Sequence, residues 1–170
     1  TTAGIVIIGN EILSGSVADS NSGYLAQELF ARGVFLRAVA VVPDDLEPIA
    51  GKVREFSHRF DLVFTTGGIG PTHDDITCEA VAAAFELKLE EHPELAQFVR
   101  TKFGKGMNEA ARKLTFVPAS AELLRGGESL WPPVKVKNVV VLPGIPALIR
   151  AQMPALARLL PSRQFHVVSR

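Results

Sequence analysis

The residues best suited to chemistry lie in one run, Thr66-Gly67-Gly68-Ile69-Gly70-Pro71-Thr72-His73-Asp74-Asp75. Three glycines let a backbone approach a ligand closely and take positive φ. Amides in such a turn form an anion-binding concavity, and a helix starting just beyond adds a favourable dipole. Thr65, Thr66 and Thr72 can add hydroxyl donors. The chemistry implied is the holding of a phosphate; the competing reading is a tight turn that needs glycine only for its geometry. The run lacks Gly-Lys-Ser/Thr and the spacing Gly-x-Gly-x-x-Gly, so it is neither a Walker loop nor a dinucleotide fingerprint.

Asp74 and Asp75 follow at once. Paired carboxylates beside a phosphate cradle suit Mg²⁺, which takes oxygen ligands and bridges to phosphate. The alternative is helix capping, and one aspartate can cap while Asp75 is left for metal. His73 can donate to a phosphate or act as acid–base, or it is a surface residue. Glu11, two residues beyond Gly9, and Asp44 also sit just after apolar runs. Asp44 reads equally as an N-cap. Asn21 caps a helix or binds ligand. Gly144, in Pro143-Gly144-Ile145-Pro146, reads as a second anion-binding turn or as plain turn geometry. His58, His92 and His166 have no metal-like spacing. Cys78 has no base nearby and reads as an inert thiol. Trp131, beside two prolines, stacks on a ring or packs a loop.

The elements that must position these residues follow from apolar patterning. Ala3 to Ile8, Val34 to Val42 and Asp61 to Thr66 read as strands, the first and third buried on both faces. Asn10 to Ser16 reads as loop. Helices are expected after Asp19-Ser20-Asn21, after Asp44-Asp45 with Pro48 in the first turn, and from Ile76 or Thr77. This alternation predicts a parallel sheet with helices on both faces. In such a sheet Glu11, Asp44 and Asp75 share the carboxyl edge, where open α/β sheets bind ligands. Residues 93–135 read as an irregular excursion, with a helix from Pro93 through Phe103, a short helix through Lys113 and a few short strands. Val139 to Leu142 returns as a core strand. A helix over Ala147 to Leu160 follows, kinked at Pro154, and residues 163–168 read as a strand.

The chain has 170 residues, 47% of them hydrophobic, with 18 basic and 18 acidic side chains. That suits one domain over 1–170 and excludes disorder. No apolar run approaches the ~20 residues of a membrane helix, and no leader opens the chain. A single cysteine excludes a disulfide framework and fits a reducing, cytoplasmic compartment. Zero net charge argues against a nucleic-acid binder. Yet residues 1–94 hold 15 acids and 6 bases, a net of −9, and residues 95–170 hold 3 acids and 12 bases, a net of +9. The halves either present mutually attracting surfaces or build one metal-and-phosphate site, with Lys102, Lys105, Arg112, Lys113 and Arg125 compensating charge.

Taken together, Gly9-Asn10-Glu11-Ile12-Leu13, Asp19-Ser20-Asn21, Val42-Pro43-Asp44-Asp45, the run from Thr66 to Thr77 and Leu142-Pro143-Gly144-Ile145-Pro146 form an ordered set. The set resembles the molybdopterin-binding (MoCF) domain family. Within it the chain is most similar to the N-terminal domain of CinA-type competence-damage-inducible proteins and the molybdopterin-binding-like domain of FAD synthases. The resemblance implies a three-layer α/β/α sandwich around a mainly parallel sheet, and a homo-oligomer, dimer or trimer. It implies that Asp75 and Asp44 are catalytic, and His73 joins them as the acid–base candidate read from the run itself. Thr66, Gly67, Gly68, Gly70, Pro71, Thr72, Asn21 and Gly144 bind substrate, and Asp75, Asp74 and Glu11 hold metal. The activity implied is divalent-ion-dependent hydrolysis of a nucleotide pyrophosphate such as FAD or ADP-ribose, with Mg²⁺, Co²⁺ or Mn²⁺. The alternatives are a binding module for molybdopterin or a nucleotide, and molybdopterin adenylylation. The family pattern is usually Gly-Asp-Glu where this chain has Gly9-Asn10-Glu11. The partner domains of those relatives are not among these 170 residues, which implies a truncation or a removed module after 160–170.

Overall fold

The chain is described by a computed structural model over residues 1–104, 108–126 and 131–161. Its first strand, β1 (Thr2–Ile8), is buried along nearly its whole length, as its continuous apolar run Ala3 to Ile8 leads one to expect. It lies between β2 (Phe35–Val42) and β3 (Leu62–Thr66), parallel to both. β8 (Val139–Leu142) adds parallel to β3. β7 (Val134–Val136) and β6 (Glu122–Leu123) then continue the sheet antiparallel. The order is β2-β1-β3-β8-β7-β6. The sheet is mixed and mostly parallel, and β7 and β6 carry the far end of the expected excursion into it, with β6 at the edge. A separate antiparallel pair joins β4 (Leu89–Glu91) and β5 (Phe116–Pro118).

Alternating side chains divide the core in two. Val6, Ile8, Val63, Val139 and Val141 face one apolar cluster with Ile49, Val53 and Phe56 of α3 (Leu46–Arg59) and Ala80 and Val81 of α4 (Thr77–Ala84). Ile5, Ile7, Phe64, Val140 and Leu142 face the other, with Leu25 and Leu29 of α2 (Asn21–Ala31) and Ile149 and Met153 of α7 (Pro146–Leu156). Helix, sheet, helix is the three-layer α/β/α sandwich expected. Packing beside β1 is close at Gly4, where a Cβ would stand 2.6 Å from Phe56 and 2.7 Å from Phe60.

Three local expectations need correction. Residues 10–13 are not loop: α1 (Asn10–Leu13) is a one-turn helix. The last helix ends at Leu156 rather than Leu160, two residues beyond Pro154, whose missing N–H weakens the final turn. Neither Asn21 nor Asp44 caps its expected helix. Asp19 instead accepts from the Asn21 and Ser22 amides at 3.0 and 3.1 Å, and α3 starts after Asp45 with no side-chain cap. Within the excursion, α5 (Pro93–Phe103) and α6 (Glu109–Lys113) fall where the pattern placed them. The strand expected over 163–168 lies outside the described residues.

Candidate functional site

The parallel strands bring four loops to one edge. β3 runs into Gly67 and Gly68, which have φ of +98° and +65°. A Cβ on Gly67 would stand 2.2 Å from the Ile8 carbonyl oxygen, and one on Gly68 would stand 2.3 Å from Thr77 Oγ1. Both positions therefore exclude any other residue on conformation and on space. Thr77, the first residue of α4, locks the turn. Its hydroxyl donates to the Gly67 carbonyl at 2.8 Å and its amide to the Gly68 carbonyl at 3.0 Å. Thr77 was not among the expected site residues; its position at the start of the helix that follows the glycine run was the available signal.

The turn after β8 abuts this one. The Gly67 amide donates to the Leu142 carbonyl at 3.2 Å, and a Cβ on Gly144 would sit 3.4 Å from Gly67 Cα. Asn21, buried, donates to the Gly144 carbonyl at 2.8 Å, so it braces the turn instead of capping a helix. The amides of Gly68, Ile69, Gly144 and Ile145 donate to no described residue. Oriented, unspent amides at strand-to-helix turns are anion-binding groups.

The carboxylates divide between two compartments. One cleft, about 80 Å³, is lined by Glu11, Asp19, Asn21, Thr66, Gly67 and Gly144. The other, about 40 Å³, is lined by Gly68, Gly70, Asp75, Cys78, Glu79 and Lys113 among others. Asp44, in the loop after β2, reaches the turn after β1: its carboxylate accepts from the Asn10 amide at 2.8 Å, and its own amide donates to Asn10 Oδ1 at 3.4 Å. Asn10 thus does turn-bracing work that needs an acceptor oxygen and no charge. Asp44 holds the start of α1, and with it Glu11. Among the described residues no three His, Cys, Asp or Glu side chains gather closely enough to cage a metal ion. The expected convergence of Glu11, Asp44 and Asp75 on one such cage is not what the fold produces.

Asp75 is turned onto its own loop. Its Oδ2 accepts from the Thr72 amide at 2.9 Å and the Thr72 hydroxyl at 2.6 Å. Burial pushes its carboxyl pKa up. The bonds from Thr72 and the Gly70 amide, with the Lys113 charge, outweigh that and hold it below the usual range. Asp75 caps no helix; α4 begins without a side-chain cap. Asp74 and His73 are exposed and pair with each other at 2.9 Å, and neither lines the two compartments. The Cys78 thiol is pushed up to about 12 by burial, so it is inert as expected.

The basic residues proposed as compensation separate clearly. Lys113 donates to the Thr72 carbonyl at 2.7 Å and stands 3.7 Å from Glu79. Arg112 faces Glu91 at 3.7 Å and the Phe116 ring. Arg125 pairs with Glu94, and Lys102 lies over Phe98 and Phe103. Lys105 lies outside the described residues.

The chain is similar to several known proteins. The chain is 37% identical over 85% of its length to a protein from Caenorhabditis elegans named "Probable FAD synthase", and 36% identical over 86% to a "CinA-like protein" of Synechococcus sp. strain CC9902. It spans only 32% and 37% of those proteins. The crystal structure of the protein CinA from Thermoplasma acidophilum, described as of unknown function, superposes with a TM-score of 0.84 at 28% identity, covering 93% of this chain and 98% of that one. The family described as "Probable molybdopterin binding domain" matches residues 4–162. The chain therefore belongs to the molybdopterin-binding domain family.

Proposed function

We propose that this domain binds a phosphate-bearing nucleotide or pterin at the carboxyl edge of its sheet and hydrolyses a nucleotide pyrophosphate there. One observation carries the binding half. Two strand-to-helix turns touch, and the amides of Gly68, Ile69, Gly144 and Ile145 donate to no described residue. Such amides supply fixed positive ends of dipoles where phosphate oxygens would sit. The family match and the relative named an FAD synthase support the ligand class.

Hydrolysis adds water across a P–O–P bond and leaves two phosphomonoesters. The donor set fits a divalent ion that arrives with its substrate rather than a resident one. Each compartment pairs a glycine turn with at most two carboxylates, and Mg²⁺ is commonly held by one or two carboxylates plus substrate phosphates. Asp75 would hold it from the compartment behind Gly68, and when bound it would polarise the phosphoryl oxygens. Around it the protein's own groups have separate tasks. The glycine turns orient the phosphates. Asp44 fixes α1 so that Glu11 faces the cleft. Asp75 keeps the Gly70–Thr72 backbone in place.

The test is a hydrolysis screen over FAD, ADP-ribose and NAD with Mg²⁺, Mn²⁺ and Co²⁺, scored by the two monophosphate products. Cleavage that is lost in Asp75→Ala, with the fold intact by circular dichroism, is the expected result. Intact substrates under every metal, with binding retained, would reduce the function to a binding module.

A further inference from the structure

The glycine turns alone do not account for binding an anion in the compartment behind Gly68. Two carboxylates, Asp75 and Glu79, line it. A phosphate entering between them meets repulsion that amide dipoles do not cancel. One cation stands against both. Lys113 is the only basic side chain among the described residues lining this compartment. It also lines the adjoining open groove of about 820 Å³, together with His73, Asn108 and Phe116.

Its placement is built by local structure. Asn108 caps α6 by accepting from the Ala111 amide at 2.8 Å, and Ala111 is buried. The helix then delivers Lys113, half-buried, across to the Thr72 carbonyl. That carbonyl takes one of the three donors an ammonium offers. Its neighbour Arg112 lines the open groove but not this compartment, and faces Glu91 and Phe116.

We propose that Lys113 is the anion-pairing residue of the glycine-loop site, supplied by the excursion, and that it selects ligands by phosphate charge. A lysine suits this task as a compact point charge, where a bidentate arginine would demand one oxygen geometry. This inference rests on the phosphate-binding reading above.

The competing role is a structural strap: Lys113 only ties α6 to the loop. Adenosine, AMP and ADP distinguish the two, titrated onto the whole chain with Mg²⁺ and again with chelator. In Lys113→Met, which keeps the apolar stem, ADP binding falls about tenfold or more while adenosine binding stays within about twofold. Lys113→Arg retains most of the ADP affinity. An equal loss for all three ligands, or no loss for ADP, overturns the proposal. If none of the three binds the wild-type chain, the phosphate-binding reading itself fails and takes this proposal with it.

Discussion

At the scale of single residues, the two glycine turns are not equivalent. A Cβ at Gly67 would collide with the Ile8 carbonyl, a backbone atom that cannot swing aside, and its φ is +98°. Gly67→Ala is expected to cost about 3 kcal/mol or more, read by urea denaturation. Gly144→Ala meets ordinary contact at 3.4 Å, so the same measurement should show a loss below about 1 kcal/mol. Asp75 brings a pH signature. Its folded pKa is lowered, so its contribution is full above the ordinary carboxylate range and disappears as pH falls through the lowered value. Asp75→Ala should cost about 1 kcal/mol at pH 7, modest because the side chain is half-exposed. The gap to wild type should close as pH falls through that lowered value. Thermal melts across that range check the sign; a gap that widens on acidification contradicts it. The glycines were readable from the sequence because a strand runs into them and a helix follows. The partner of Asp75 was not. Side chains three residues apart in an irregular loop meet through φ and ψ values that no periodicity encodes, so the bond from Thr72 to Asp75 could not be read from the sequence.

At the scale of elements, helix starts show which oxygens do the capping. Asp19 accepts the first amides of α2, and Asp19→Ala should cost about 1 kcal/mol, measured by thermal denaturation. Removal of the Asn21 side chain would leave that cap intact and release the Gly144 turn. The strands and long helices were legible because their apolar periods are strong. α1 was not: Asn10-Glu11-Ile12-Leu13 is one turn long, and its first amide is held by Asp44, 34 residues away. The β7–β8 hairpin was hidden for a related reason. It turns at Lys137 and Asn138 with Lys137 at φ +52°, without the Asn-Gly pair that marks such turns. Asn138 holds the turn in place by donating to the carbonyls of Ser57 and Phe60, both at 2.9 Å. Contacts of that range exist only once the sheet is assembled.

At the scale of the whole molecule, the mostly parallel sandwich was foreseen, while the mixed right-hand side of the sheet was not. Alternation of strand and helix announces parallel pairing, but Val134-Lys135-Val136 is too short to announce a strand by pattern. The charge split also has a physical location. Lys113 from the basic part reaches the loop of Asp75 from the acidic part. Among the described residues no helix is long and apolar enough to cross a membrane. The strand order has a consequence for how the chain assembles. β2, β1 and β3 all come from the first 66 residues, and β6, β7 and β8 form a local antiparallel meander over 122–142. The sheet is two blocks joined along a single seam, β3 against β8. Gly67 ends one side of that seam and Gly144 follows the other. A ligand held by both turns would thus act as a rivet across the joint. Its binding would favour the assembled state over one in which the late block has come away.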